Sequence, residues 1–203
     1  TYSFARRAQS EGIAVIDDPD SILRCSNKVY LQELMNVGHI PAPKTIITHS
    51  DNRNILAKEL GFPLILKSPD SSFSQGVIKV KNKEELEEEL DRMFTKSDLL
   101  IAQEFTPTDF DWRIGVLDGK PLYACKYYMA KDHWQIYNWK SEDKNEICGN
   151  FDCLPIESVP HGIVKAALRV SAMIGNGLYG VDLKEVNGKP VVIEVNDLSL
   201  IHI

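Results

Sequence analysis

One stretch near the C-terminal end, Gly180 to Asn196, constrains the fold more than any other part of the sequence. It reads GVDLKEVNGKPVVIEVN, which is two runs of β-branched and aliphatic residues on either side of Asn187 and Gly188. An Asn-Gly pair between two such runs is the strongest short-range signal for a β-hairpin. The sequence therefore predicts two antiparallel strands joined by a tight turn.

The length of that turn determines which side chains face each other. A two-residue turn at Asn187 and Gly188 would direct Asp182 away from Glu194, because a one-residue slip inverts every side chain. A three-residue loop that also includes Lys189 would set the two carboxylates opposite each other and leave the other face apolar. We therefore expect the three-residue loop. Its apolar face would pair Val181 with Val195 and Leu183 with Ile193, and its polar face would carry Asp182, Lys184, Glu194 and Asn196.

The polar face of the hairpin has the ligand chemistry of a magnesium site. Asp182 and Glu194 supply carboxylate oxygens and Asn196 an amide oxygen, which are the hard ligands that Mg²⁺ prefers. The alternative is a solvated sheet face with a chance acidic pair. Directly opposed like charges are unfavourable without a cation between them. The hairpin therefore favours a metal site at these three residues, in which substrate phosphates would complete the shell.

Composition excludes several classes of function. The 203 residues include 23 Lys and Arg against 29 Asp and Glu, and the net charge of −6 gives no support for a nucleic-acid surface. The sequence has no apolar run long enough to span a bilayer and no signal-peptide pattern, so we expect no membrane partner and a cytoplasmic location. The four cysteines lack C-x-x-C spacing, which favours free buried thiols over a zinc site or disulfides.

Earlier segments alternate between predicted helices and strands. Phe4 to Gln9 has helical character, Ile13 to Ile16 reads as a short strand, and Ser26 is the expected N-cap of a helix that ends at Gly38. Lys28 falls in the first turn of that helix, where the helix dipole disfavours a cation. The residue is either an ordinary surface lysine or one that points at an anion.

A lysine and a loop of small residues follow a buried strand, Pro63 to Leu66. Lys67 ends this apolar strand, and buried lysines are rare unless they are paired. The loop from Ser68 to Gly76 lacks the Walker pattern, but its serines and glycine could present hydroxyls and amides to a phosphate as a flap. An ordinary polar hairpin loop is the alternative. Further on, the polar and aromatic segment from Lys131 to Cys153 is either a substrate loop or an irregular connection.

In this order, the units resemble the ATP-grasp superfamily, and within it the RimK-type and glutathione-synthetase-like carboxylate-amine ligases. The most specific match is Gly180-Val181-Asp182 followed by Glu194-Val195-Asn196, and the family order extends from about residue 21 to 196. The resemblance implies an α+β fold with two lobes that grip a nucleotide. The smaller lobe would span about 42–102 and the larger, metal-binding lobe about 103–203, within an ATP-grasp domain of 21–203. Residues 1–20 would be a remnant of a preceding α/β domain.

The resemblance also implies roles for individual residues. It implies that the metal ligands are Asp182, Glu194 and Asn196, and that Arg113 and Lys67 are catalytic. It further implies ATP contacts at Lys28, Lys67, Ser71, Ser72, Ser74, Gln75, Gly76, Gln103, Glu104, Phe105, Asp111 and Asn138. In relatives, the positions of Glu104 and Phe105 form the hinge at adenine and that of Asp111 lies near the ribose. Gln135 and Asn138 fall where RimK-like enzymes contact nucleotide or substrate.

The reaction that the resemblance implies is amide formation driven by ATP. A carboxylate attacks the γ-phosphate to give an acyl phosphate and ADP, and an amine then displaces phosphate. The resemblance implies Mg²⁺, which Mn²⁺ could replace, glutamate as the amino acid, and a peptide or protein terminus as a candidate acceptor. It allows a homo-oligomer. The chain lacks most of the family's N-terminal domain and departs from the family after Asn196, so we expect a fragment with a non-native tail at 197–203. A nucleotide-binding module without turnover, or a glutathione or D-alanyl dipeptide type of ligase, are the alternatives.

Overall fold

The structure is a computed structural model that describes residues 1–71, 75–143 and 146–197. It contains two antiparallel sheets, each packed on its own apolar core. The α+β class expected from the sequence is confirmed. Ser72, Ser74 and residues 198–203 of the expected non-native tail lie outside the described residues.

The helices cover one side of each sheet. They are α1 (Tyr2–Ser10), α2 (Pro19–Ser26), α3 (Lys28–Val37), α4 (Leu56–Leu60), α5 (Lys83–Phe94) and α6 (His161–Ile174). None of the helices in the described ranges is both long and apolar enough to cross a lipid bilayer.

The smaller sheet has four strands in the order β1-β4-β2-β3. Its strands are β1 (Thr45–Thr48), β2 (Leu64–Lys67), β3 (Val77–Val80) and β4 (Leu100–Glu104). Side chains such as Leu66 and Leu90 are fully buried between this sheet and helices α4 and α5. Asn82 caps α5 by accepting a hydrogen bond from the Glu85 amide at 2.9 Å.

The larger sheet has five strands in the order β7-β6-β5-β8-β9. Its strands are β5 (Phe110–Leu117), β6 (Lys120–Tyr128), β7 (Phe151–Leu154), β8 (Leu178–Val186) and β9 (Lys189–Asn196). One face packs against α6, α3 and α2, with Ile114, Val181 and Ile163 in the core. The opposite face of this sheet lines a cleft.

The β8–β9 turn is shorter than the sequence analysis predicted. Val186 pairs with Lys189, so only Asn187 and Gly188 form the turn, and both have positive φ (51° and 72°). The prediction of a three-residue loop was therefore wrong. Positive φ at both central residues is the signature of the tight hairpin turn whose twist matches the strands.

Asp182 nevertheless pairs with Glu194, as predicted. The register shifts between Asp182 and Leu183, because Leu183 pairs with Val192 and Ile193 is left as an extra residue on β9. This β-bulge takes the place of the expected extra loop residue. Leu183 therefore does not meet Ile193, and Val192 occupies the buried position instead.

The N-terminal segment also differs from prediction. Residues 13–16 form no strand, and the predicted N-cap Ser26 is instead the last residue of α2. The cap of α3 is Asn27, whose side chain accepts a hydrogen bond from the Tyr30 amide at 3.0 Å. Asp17 and Ser21 fasten the segment to the larger sheet, through the Leu178 amide at 2.7 Å and the Tyr179 hydroxyl at 2.7 Å.

All four cysteines are free thiols, as expected, but only two are buried. Cys25 and Cys125 lie in the interior, whereas Cys148 and Cys153 are exposed. Cys153 is exposed because it lies on β7, an edge strand that the sequence analysis placed inside an irregular or substrate-binding segment.

Candidate functional site

A row of charged side chains crosses the open face of the larger sheet. Arg113 on β5 pairs with Asp182 on β8, and Asp182 pairs with Glu194 on β9. Directly paired residues of antiparallel strands project to the same side of a sheet. Three adjacent strands therefore present one basic and two acidic groups to a single cleft.

Arg113 binds Asp182 through two parallel hydrogen bonds. Its Nε and Nη2 donate to the two carboxylate oxygens at 2.7 and 2.8 Å. This fork geometry is the strong form of an Arg–carboxylate pair, and the carboxylate raises the pKa of Arg113 further above its usual value. The guanidinium carbon also lies 5.1 Å from the ring centre of Tyr127. Arg113 is therefore held in a defined position at the cleft.

Asn196 completes the acidic end of the row. Its Nδ2 donates to Asp182 Oδ2 at 3.0 Å and to the Gly180 carbonyl at 3.4 Å. Both contacts use the amide nitrogen, so Oδ1 is the atom of this side chain that could bind a cation.

Lys28 joins α3 to both the row and the smaller sheet. Its Nζ lies 2.6 Å from Glu194 Oε1 and also donates to the Ser71 carbonyl. The Lys28 amide donates to the Pro69 carbonyl at 3.0 Å, and the Asn27 side chain donates to Asp70 at 3.0 Å. The first turn of α3 therefore holds the segment that follows β2. Lys28 does point at an anion, and in this structure that anion is Glu194.

Lys67 enters the same cleft from the end of β2. Burial lowers its pKa to about 8, and the ammonium groups of Lys28 and Lys184 act in the same direction, while Glu194 opposes them. Three ammonium groups therefore converge on one region of the cleft. Such a concentration of positive charge is suited to binding phosphate groups.

Asp111 and Lys184 form a second ion pair in the cleft. Lys184 Nζ lies 2.6 Å from Asp111 Oδ1 and donates to the Thr108 hydroxyl at 2.7 Å. Burial raises the pKa of Asp111, although the Lys184 ammonium opposes this effect. Lys184 thus faces the site together with Asp182, as the polar face of the hairpin predicts.

An aromatic pocket lies between the two sheets, where β4 ends. The rings of Phe105 and Trp134 meet edge to face, with their centres 5.9 Å apart. Lys79 from β3 places its ammonium 3.8 Å from the centre of the Phe105 ring. Flat apolar walls of this type suit a planar ring such as a nucleotide base.

Gln103 and Glu104, at the end of β4, are held by Thr45 of β1 and by Lys44, the residue before that strand. The Glu104 amide donates to the Lys44 carbonyl at 2.9 Å, and the Glu104 carboxylate accepts from the Lys44 amide at 2.8 Å. Gln103 is buried and donates to the Thr45 hydroxyl at 2.9 Å. The Glu104 amide is therefore already occupied by a protein partner.

Most residues singled out from the sequence line this one cleft. They are Lys28, Lys67, Ser71, Gln103, Glu104, Phe105, Asp111, Arg113, Gln135, Asp182, Glu194 and Asn196. Three others, Gln75, Gly76 and Asn138, are not among the lining residues. Ser72 and Ser74 lie outside the described part of the chain.

The cleft also has lining residues to which the sequence analysis assigned no individual role. Ile65, Val77 and Ile193 form its apolar surfaces, and Trp134, Ile136 and Tyr137 come from the segment between β6 and β7. The apolar residues carry no chemical signal in a sequence. The aromatic segment, by contrast, was recognisable as a candidate substrate loop.

The oxygen atoms of Asp182, Glu194 and Asn196 suit a hard divalent cation whose remaining ligands are not protein side chains. Within the described ranges, no group of three or more His, Cys, Asp or Glu side chains is placed to hold a metal. Both carboxylates are neutralised by basic side chains, and only one amide oxygen accompanies them. This chemistry suits Mg²⁺ bound together with phosphates and water, and does not suit an all-protein cage.

Comparisons with known proteins identify the family of the chain. The family model described as "D-ala D-ala ligase C-terminus" matches residues 40–199. An alpha-aminoadipate–LysW ligase LysX of Sulfolobus acidocaldarius is 29% identical over 205 residues, which cover 92% of this chain and 70% of the relative. A tetrahydromethanopterin:alpha-L-glutamate ligase of Methanocaldococcus jannaschii is 27% identical, over 91% of this chain and 62% of the relative.

Solved structures show the same fold. The D-alanine–D-alanine ligase of Bacillus anthracis complexed with ATP matches with a TM-score of 0.76 and 24% identity, over 97% of this chain and 64% of that protein. A RimK domain ATP-grasp protein of Sphaerobacter thermophilus matches with a TM-score of 0.72 and 18% identity, over 97% and 68% of the two chains. The chain therefore belongs to the D-Ala-D-Ala ligase C-terminal family and has the ATP-grasp ligase fold.

Proposed function

We propose that the chain is the ATP-binding core of a carboxylate-amine ligase of the α-L-glutamate ligase type. The observation that carries this proposal is the charge row of Arg113, Asp182 and Glu194, with Lys28 and Lys67 converging on it from α3 and the smaller sheet. A site with several fixed cations and a pair of carboxylates suits a metal-bound polyphosphate. The named relatives that are glutamate ligases support the assignment of class.

The proposed reaction needs no protein nucleophile. A substrate carboxylate attacks the γ-phosphate of ATP, which gives an acyl phosphate and ADP, and the amine of an amino acid then displaces phosphate to form the amide. The residues of the chain act by alignment and charge neutralisation. Mg²⁺, or Mn²⁺ in its place, held by Asp182, Glu194 and Asn196 would neutralise charge on the nucleotide phosphates.

The basic residues have separate tasks in this proposal. Lys28 and Lys67 bind the phosphates, and Lys28 at the same time holds the Ser71 carbonyl of the segment after β2. Arg113 counters the charge on the transferring phosphoryl group, because its guanidinium is fixed in the cleft by Asp182. The flap residues Ser71, Ser72, Ser74, Gln75 and Gly76 would cover the phosphates.

The aromatic pocket would hold the adenine. Phe105 and Trp134 provide the apolar walls, and the backbone after Gln103 provides the hinge. Since Lys44 already occupies the Glu104 amide, the Phe105 amide is the donor we assign to the base. Asp111 would lie near the ribose, and Asn138 would contact nucleotide or substrate only after a movement of its segment toward the cleft.

The wider assignments follow from the same proposal. We propose a smaller lobe of about 42–102, a larger lobe of about 103–203 and a separate N-terminal segment at 1–20. The substrates would be glutamate and a carboxylate acceptor such as a peptide or protein terminus. We also propose that the protein is cytoplasmic, depends on magnesium and assembles as a homo-oligomer. The proposal includes neither a nucleic acid nor a membrane as a partner.

A D-alanyl dipeptide ligase is the second candidate. The matching family model and the Bacillus anthracis structure are both of D-Ala-D-Ala ligases, whereas several named relatives are glutamate ligases. In a D-alanyl dipeptide ligase, D-alanine would supply both the carboxylate and the amine.

One assay separates these candidates from a nucleotide-binding module. ADP release from Mg²⁺-ATP is measured with glutamate, with D-alanine, and with a panel of carboxylate acceptors, each alone and in pairs. We expect ADP release that requires both glutamate and an acceptor. Release with D-alanine alone would identify the dipeptide ligase, and ATP binding without release under any condition would contradict ligase activity.

A further inference from the structure

Two cysteine side chains face each other at the edge of the larger sheet. Cys125 on β6 pairs directly with Cys153 on β7, and their sulfur atoms are 2.9 Å apart. Directly opposed residues of antiparallel strands have Cα atoms about 4.5–5.5 Å apart, which lies within the roughly 4.4–6.8 Å that a disulfide bridges. The two thiols can therefore be joined without a large movement of the backbone.

The two thiols differ in their access to solvent. Cys125 is buried, whereas Cys153 is exposed on the edge strand. Burial raises the pKa of Cys125 to about 12, with the nearby Cys153 thiol contributing in the same direction, so the Cys125 thiol stays protonated at neutral pH. Cys153 is therefore the thiol that meets a reagent first, and Cys125 is positioned to react second.

The position of the pair connects it to the cleft. Cys125 pairs with Arg113 on its other side, so the thiols extend the charged row across the sheet. The segment between β6 and β7 supplies Trp134 and Tyr137 to the cleft, and its two ends are the strands that carry the thiols. A covalent bond between these strands would close the base of the segment.

We propose that Cys125 and Cys153 form a modification site for low-molecular-weight disulfides of the glutathione class. The Cys153 thiolate attacks the small disulfide, forms a mixed disulfide and releases one small thiol. The Cys125 sulfur then attacks the Cys153 sulfur, and its proton passes to the departing small thiolate, which leaves as the second small thiol. Two protein thiols are oxidised to one disulfide, and one small disulfide is reduced to two small thiols. The product clamps β7 onto β6.

The test uses the wild-type chain treated with oxidised glutathione, followed by alkylation of free thiols and peptide mapping. We expect one cross-linked peptide that joins Cys125 to Cys153, release of two equivalents of glutathione, and reversal by dithiothreitol. Cys148→Ser is the matched control, because Cys148 is exposed but its only described sulfur contact is with the Gly149 carbonyl, so this variant should cross-link as the wild type does.

The effect of the Cys125–Cys153 cross-link on stability is measured by thermal denaturation. A cross-link that closes this loop should raise the midpoint of thermal denaturation by about 5 °C, and Cys153→Ser should show no such rise. A mixed disulfide that persists on Cys153 while Cys125 stays open to alkylation after unfolding would overturn the proposal. A cross-link to Cys148, or an unchanged midpoint after Cys125 and Cys153 are joined, would overturn it equally.

Discussion

Asp182 lies directly opposite Glu194 although the hairpin between them turns on only two residues. Counting back from the turn along a regular ladder would pair Asp182 with Ile193. The bulge at Ile193 absorbs this one-residue difference and brings the two carboxylates together. It also places Ile193 in the cleft, while Val192 stays in the core. Bulges beside functional sites commonly re-aim side chains in this way.

Neighbouring substitutions on β9 should have opposite consequences because of the bulge. Val192→Ala should lower the free energy of unfolding by roughly 1–3 kcal/mol, since it leaves a cavity in a fully buried position. Ile193→Ala should change stability by less than about 1 kcal/mol and should weaken ATP binding. Urea denaturation and calorimetric titration measure both effects. A larger loss of stability in Ile193→Ala than in Val192→Ala would contradict the bulge.

Replacing Glu194 should selectively remove the contribution of magnesium to ATP binding. Glu194→Gln keeps the shape of the side chain but loses its charge, so it weakens both a metal ligand and the partner of Lys28. The lost charge-assisted contact is worth about 1.5–3 kcal/mol, which is roughly a tenfold to hundredfold loss in Mg²⁺-dependent affinity. Titration of ATP with and without Mg²⁺ measures it.

Glu185 offers a control on the same hairpin. Its carboxylate accepts a hydrogen bond from the Trp112 indole at 3.2 Å and does not line the cleft. Glu185→Gln retains an acceptor and should leave ATP affinity within about twofold of the wild type. Magnesium-dependent affinity that is unchanged in Glu194→Gln would remove Glu194 from the proposed metal site.

The sequence predicts which residues form the site better than it predicts how the strands position them. Strand alternation places Asp182 with Lys184 and Glu194 with Asn196. The facing of Asp182 and Glu194 was predicted from a three-residue loop that the structure does not have, and the bulge produces it instead. The sequence does not predict the bulge, because no residue type marks it, and a longer loop satisfies the same hydrophobic pattern. The short edge strand β7 was missed because three of its four residues are exposed and give no apolar alternation.

The ion pairs of the site were also beyond sequence reasoning. Lys28 is 166 residues from Glu194 along the chain, and only the packing of α3 against the sheet brings them together. From the sequence, Lys28 in the first turn of a helix was either a surface lysine or one that points at an anion. The sequence could not show that the protein itself supplies one, because tertiary contacts of this type depend on the assembled fold.

Arg113 should affect turnover more than ATP binding. Arg113→Lys keeps a positive charge but loses the fork that grips Asp182 at two oxygens, so the charge is no longer fixed in the cleft. We expect ADP release to fall by about 10²-fold and ATP affinity to fall by less than about fivefold, since preorganised charge acts mainly in the transition state.

Arg169→Lys is the matched control for that substitution. Arg169 on α6 donates to the carbonyls of Gly38 and His39 and does not line the cleft, so ADP release should stay near the wild-type rate. Equal losses of affinity and turnover in Arg113→Lys would assign Arg113 to ground-state binding of ATP instead.

The affinity for ATP should fall as the pH rises above about 8, because Lys67 then loses its proton. Burial lowers the pKa of this lysine to about 8 in the ligand-free protein. Phosphate favours the charged form, so the pKa rises when ATP binds, and binding takes up a proton in the interval between the two values. By linkage, affinity should be nearly constant below pH 8 and decline by up to about tenfold per pH unit above it.

Two variants at the same position isolate this effect from other titrating groups. Lys67→Arg retains its charge throughout the interval, so its affinity should stay level between about pH 8 and 10. Lys67→Met should bind weakly at every pH and should lack the same decline. Because phosphate groups are already ionised at pH 8, the titration of ATP itself does not produce the slope. If the affinity of the wild type stays level over this interval, as that of Lys67→Arg should, then the loss of the Lys67 proton does not control ATP binding there.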